Sequence, residues 1–159
     1  MNGKTRELAG IIKKNLSMLE KLHTSLSEVY EKEISLIGKT NRSALMVAGL
    51  LENYYTCGET IFLRISQFFE NNLREDHWHQ DLLEKMTITI EGVRIPAVSQ
   101  ENYPKLLELL KFRHFKRYYF ELEYDWDRLD FVKKKCLEAH PLLLSDLNRF
   151  LDFLKQLEE

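Results

Sequence analysis

Apolar residues recur at every third or fourth position over most of this chain. Between about Thr5 and Ile37 they are Leu8, Ile12, Leu16, Leu19, Leu22, Leu26 and Val29, a spacing that lays one apolar stripe along a helix. Such a helix is long for a globular domain, so part of its stripe is expected to pack against another subunit. Gly38-Lys39-Thr40-Asn41 breaks the pattern. A second long helix is predicted from about Arg42 to Asn71, carrying Leu45, Ala48, Leu51, Tyr55, Phe62, Ile65 and Phe69. Two long helices joined by so short a break should lie antiparallel.

A shorter helix is predicted from Asp76 to Met86, with Trp78, Leu82 and Leu83 facing inward. The period then changes. Thr87-Ile88-Thr89-Ile90-Glu91-Gly92-Val93-Arg94-Ile95-Pro96 alternates as a small hairpin does, with Glu91-Gly92 at its tip. An isolated two-stranded hairpin is marginal, so an ordered loop or minor ribbon is expected there. Pro104 suits the first turn of the next helix, in which Leu106, Leu107, Leu109 and Leu110 follow. Asp125 is placed to cap a helix running from Trp126 to about Ala139. Pro141 should end or kink that helix, leaving Leu143, Leu147, Phe150, Leu154 and Leu157 to a final amphipathic one. Six glycines and three prolines are too few for the turns of a strand-rich fold. The expectation is an all-α antiparallel bundle, residues 1–159 forming one domain, with a minor hairpin or loop near residues 87–98.

Composition and charge narrow the function. No apolar run approaches the ~20 residues needed to cross a bilayer, and the first residues lack the apolar segment of a signal peptide. Cys57 and Cys136 show no metal or redox spacing and read as reduced core residues. A cytoplasmic protein without a membrane partner is expected. The formal net charge is only -2, yet Lys111, Arg113, His114, Lys116 and Arg117 fall within seven positions. The aromatic residues Phe112, Phe115, Tyr118, Tyr119 and Phe120 are interleaved with them or follow them. Clustered cations of this kind mark a surface able to meet phosphate. The simpler alternative is an amphipathic helix with a solvated basic side. The same two readings apply to Lys133-Lys134-Lys135.

Glu59 is a carboxylate on a largely apolar helix, flanked by Tyr54, Tyr55, Thr60 and Phe62. It is either partly exposed or paired with a cation, for which Arg113 and Arg94 are the candidates. Asp76, His77, His79 and Asp81 invite a metal reading. On a helix, however, His77 and His79 lie about 200° apart, and His77 with Asp81 makes only two ligands. No metal or other cofactor is expected, and no phosphate-binding glycine loop, nucleophile elbow or zinc spacing occurs.

In order along the chain stand Glu59, Trp78-His79-Gln80-Asp81-Leu82-Leu83, Arg94-Ile95-Pro96-Ala97-Val98, Phe112-Arg113-His114-Phe115 and Asp125-Trp126-Asp127-Arg128-Leu129. This succession resembles the HepT-like branch of the HEPN superfamily. The resemblance implies a helical bundle that forms a homodimer and a metal-independent ribonuclease site at the dimer cleft. It also implies a toxin–antitoxin pairing with a minimal nucleotidyltransferase as antitoxin. The family motif is an arginine, four to six residues, a histidine, and a tyrosine two positions later. Arginine offers a permanent charge matched to phosphate, and histidine transfers protons near neutral pH. Here Arg113 takes the arginine position, Tyr118 stands at the histidine position and Phe120 at the tyrosine position. The resemblance therefore assigns Arg113 and Tyr118 as catalytic, with Lys111, His114, Lys116 and Arg117 as RNA-binding. Glu59, Tyr119 and Phe120 support them. Ribonuclease activity is expected to be impaired, since an ordinary phenol, with pKa near ~10, is a poor base at neutral pH. The alternative is a non-catalytic module that binds a nucleotidyltransferase or RNA. Phe120 lacks the hydroxyl that some antitoxins of this kind adenylylate.

Overall fold

The computed structural model describes residues 2–70, 78–117 and 123–159, and what it describes is helical throughout apart from loops. α1 spans Asn2–Glu28, passes through a five-residue π-helical turn at Val29–Glu33, and ends in the short α2, Ile34–Ile37. Gly38 closes it with φ +77°, a left-handed conformation that glycine adopts without strain. Thr40 then caps α3, Asn41–Phe69, in a reciprocal capping box with Ser43.

Three further helices follow: α4, Trp78–Met86; α5, Tyr103–Arg117; and α6, Trp126–Leu157. Lys4, Glu7, Leu8 and Ile11 of α1 lie beside Arg64, Gln67 and Phe68 at the far end of α3, so these two helices are antiparallel as expected. α6 also runs antiparallel to α1. Arg6 reaches Glu158 at one end (3.2 Å), and Tyr30 donates to Asp130 at the other (2.8 Å). α5 packs across α3 and α6, and α4 closes the side of α3 and α5.

Leu8, Ile12, Leu16, Leu19, Leu26 and Val29 are all buried within the chain's own bundle. Leu22, in the same stripe, is half-buried, and the stripe packs mainly against α3 and α6. Leu45, placed on the inner face by its spacing, is 39% exposed. The two helices expected on either side of Pro141 are one helix, capped by Asp125 as predicted. The stripe Val132, Cys136, Ala139, Leu143, Leu147, Phe150 and Leu154 stays in phase through the proline, and every member is buried. Burying several large apolar side chains, at about 1.5–3 kcal/mol each, outweighs the ~3 kcal/mol that an interior proline costs a helix.

The ribbon expected near residues 87–98 is a loop with one antiparallel bridge, Ile90 to Arg94, and a left-handed Gly92 at its tip. Arg94 is buried and anchors the loop. Its guanidinium donates to the Glu70 carboxylate and to the carbonyls of Lys85, Ile88 and Ile95. Asp146 of α6 accepts from both the amide (2.9 Å) and the hydroxyl (3.0 Å) of Ser99. These bonds fix the entry of α5 against α6, and thereby the position of Arg113.

Candidate functional site

Glu59 falls one turn after Tyr55 and three residues before Phe62, on the buried face of α3. A carboxylate in that position needs donors from its neighbours. Arg113 of α5 supplies them as a two-pronged pair, Nη1 to Oε1 and Nη2 to Oε2, each at 3.0 Å. Nη1 also donates to the Thr56 hydroxyl (3.2 Å), and the guanidinium lies 5.0 Å from the centre of the Tyr55 ring. Such bidentate, charge-assisted bonds combine strength with fixed geometry.

A third helix brings in His79. Its Nδ1 is 2.8 Å from Glu59 Oε2 and 3.0 Å from Arg113 Nη2. The Trp78 ring lies against the imidazole, with centroids 3.6 Å apart. Side-chain exposure rises outward through the cluster: 3% for Arg113, 9% for Glu59 and 30% for His79. Acid, base and cation thus meet in one place, with the histidine alone reaching toward solvent. The Tyr55 hydroxyl beside them has no hydrogen-bond partner among the described residues. Its pKa is pushed up, chiefly by burial and then by Glu59, so it stays protonated.

The remaining predicted residues lie apart from this cluster. Lys111 is exposed on α5, 3.9 Å from Glu108. Lys116 pairs with Glu52 at 2.6 Å, and His114 is exposed. Arg113 therefore points inward while Lys111, His114 and Lys116 face outward. The Arg117 side chain and Tyr118, Tyr119 and Phe120 lie outside the described residues. Of the two cations considered for Glu59, Arg113 takes it and Arg94 takes Glu70.

The sequence offered His79 as a metal ligand and, with Trp78, as a structural part of the family resemblance, and did not place it beside Glu59. The signal for it was Glu59 itself, a carboxylate among aromatics that needs more than one donor. No group of three or more His, Cys, Asp or Glu that could hold a metal occurs among the described residues. None of the described helices is long and apolar enough to cross a membrane.

A second buried polar group joins α1, α3 and α6. The Tyr54 hydroxyl lies 2.8 Å from His140 Nδ1, and the His23 ring stacks on His140 with centroids 4.1 Å apart and planes 10° from parallel. Burial, with His23 adding to it, lowers the His140 pKa to about 4. Burial likewise lowers that of His23. Cys57 and Cys136 are free thiols, pushed up by burial to about 11 and about 12. They are protonated and poorly nucleophilic at neutral pH.

A family model described as HepT-like protein matches residues 46–154. The match takes in Glu59, His79, Arg94 and Arg113. No curated protein and no solved structure matches the chain.

Proposed function

The chain belongs to the HepT-like family, and from that premise we propose that it is the toxin-side component of a toxin–antitoxin pair, cleaving RNA without a metal ion. The reading is supported above all by one juxtaposition. Arg113, Glu59 and His79 lie within hydrogen-bonding distance of one another on three helices. Cleavage by the ribose 2′-hydroxyl requires a proton acceptor and a positive field where charge builds on phosphorus. Arg113, buried and paired with Glu59, holds the cluster in place, and the field comes from the outward-facing cations of α5. Lys111, His114, Lys116 and Arg117 on the same helix contact the phosphate backbone, and Tyr118 follows them at the motif's histidine position. The active form is a homodimer, and the antitoxin is a minimal nucleotidyltransferase.

The test is incubation of the purified protein with total tRNA and mRNA in EDTA, beside Arg113→Lys, which keeps the charge against Glu59. Cleavage leaving 2′,3′-cyclic phosphate ends, lost in the variant, is the expected result. An unchanged rate in Arg113→Lys refutes the assignment.

One observation favours a second reading, a module that binds its nucleotidyltransferase partner without cutting RNA. Two of the expected RNA-binding cations and the expected catalytic arginine already face carboxylates: Lys111 with Glu108, Lys116 with Glu52, and Arg113 with Glu59. Intact RNA together with a stoichiometric complex with the partner, both from folded protein, supports this alternative.

A further inference from the structure

We propose that His79 is the proton acceptor of this site, taking over the function for which the family motif uses a histidine at the position of Tyr118. The proposal rests on the ribonuclease reading above. It is carried by how His79 is held. Of the two atoms near Nδ1, Glu59 Oε2 is the closer, at 2.8 Å against 3.0 Å for Arg113 Nη2. A carboxylate is also the acceptor that gains most from an N–H donor. Arg113 Nη2 can only donate, so the two contacts ask for opposite tautomers. The closer carboxylate decides in favour of a hydrogen on Nδ1, donated to Glu59, which leaves the lone pair on Nε2 and makes the Arg113 approach a contact rather than a hydrogen bond. A carboxylate that fixes the tautomer and orientation of an imidazole is the arrangement by which histidine becomes an effective base.

The surrounding residues complete the support. The Trp78 ring lies against the imidazole, tilted 32° from it, and limits its rotation. Arg113 grips both oxygens of Glu59, so the carboxylate cannot turn away from Nδ1. Arg113 and Glu59 are accordingly positioning residues with respect to this proton transfer. His79 is the member of the cluster that is accessible, at 30% side-chain exposure against 3% and 9% for its partners. Contact with the imidazole does not require the buried ion pair to open.

The step balances without a co-reactant. The ribose 2′-oxygen bonds to the adjacent phosphorus while its proton passes to Nε2. The bond from phosphorus to the 5′-oxygen breaks, giving a 2′,3′-cyclic phosphate. The departing 5′-oxygen then takes up a proton through solvent from the imidazolium, which restores neutral His79.

The experiment uses a mixed-sequence oligoribonucleotide in EDTA, with its all-deoxy counterpart as the control that lacks the nucleophile. Wild-type protein is compared with His79→Asn, His79→Gly and Glu59→Gln, each checked by circular dichroism. Loss of a positioned base predicts a fall of ~10²–10⁴-fold in His79→Asn. Added imidazole should restore cleavage in His79→Gly, an effect that a purely structural histidine does not produce. The pH–rate profile of wild type should be altered in a folded His79→Asn. Should His79→Asn unfold, His79→Gly decides: cleavage that added imidazole does not restore in the folded variant overturns the proposal. Wild-type rate and profile in a folded His79→Asn overturn it while leaving RNA cleavage intact. Absence of cleavage by folded wild type overturns the ribonuclease reading and this proposal with it.

Discussion

Replacing Arg113 by methionine removes the buried cation and keeps an unbranched apolar stem. Glu59, 7% exposed, is left with His79 Nδ1 as its remaining side-chain partner among the described residues. Two charge-assisted bonds disappear, at about 1.5–3 kcal/mol each, which agrees with the ~3–5 kcal/mol measured when one partner of a buried ion pair is deleted. Against a total stability of about 5–15 kcal/mol, Arg113→Met is expected to remove a large share. For a chain of this size each kcal/mol shifts the melting temperature by about 2–4 °C, so the variant should melt about 6–20 °C lower. The double variant Glu59→Leu with Arg113→Met buries no charge and should be more stable than Arg113→Met alone, since apolar replacements of buried pairs are often neutral. Urea unfolding followed by far-UV circular dichroism, run as a double-mutant cycle, reads the coupling. A change of less than about 0.5 kcal/mol in Arg113→Met, the size of an ordinary surface substitution, would refute the claim that this pair is a buried, mutually dependent unit. So would simple additivity in the cycle.

Acid should weaken the fold through His140. Its folded-state pKa of about 4 lies below the ordinary 6.5, so between those values the unfolded chain binds more protons and stability falls as pH drops. Stability is complete above about pH 6.5, the loss reaches at most about 3 kcal/mol near pH 4, and urea midpoints of His140→Gln should show a shallower slope. Arg94→Ala strips donors from Glu70 and three carbonyls, so it should cost about 3–5 kcal/mol and speed amide exchange across residues 88–95. Pro141→Ala restores a backbone donor inside α6 and should stabilise the protein by up to about 3 kcal/mol, read as a raised urea midpoint. A lowered midpoint would mean that the proline ring itself is needed for packing.

The helical pattern foretold most of the fold because each element buries a stripe whose period is visible in a single strand of text. It failed where the outcome depended on which neighbour arrives. Pro141 was expected to divide α6 because the local rule concerns one missing donor, whereas the continuing stripe on both sides belongs to the whole bundle. The basic run on α5 read as one surface. Its members divide, since Arg113 is in phase with Leu106, Leu109 and Leu110 on the buried side of α5, while Lys111 and His114 are not. Glu59 announced its need for a partner, and the partner was one of two candidates named. His79 could not be assigned from spacing alone, since it meets Glu59 from a separate helix twenty residues on. The His23 and His140 pair is separated further still and left no local trace.

On the proposed ribonuclease reading, the charges of the site constrain how RNA would be held there. Glu59 and Arg113 cancel, so the buried pair exerts little long-range pull on a phosphate. Lys116 is matched by Glu52 at 2.6 Å, and Lys111 faces Glu108 at a looser 3.9 Å. A phosphate displacing either carboxylate gains one contact and gives up another, so few counterions are released on binding. For single strands the salt slope is about −0.7 per phosphate neutralised. With Lys111, Lys116 and Arg117 as the permanent cations proposed to meet phosphate on α5, log K against log salt should be no steeper than about −2. Affinity would then come from the imidazole, the exposed Phe115 (44% exposed) and shape rather than from a cationic groove. Filter binding of a short oligoribonucleotide across a range of salt measures this directly. A slope several times steeper would mean that the phosphate path runs over other cations, and that the carboxylates beside Lys111 and Lys116 do not set the binding of RNA.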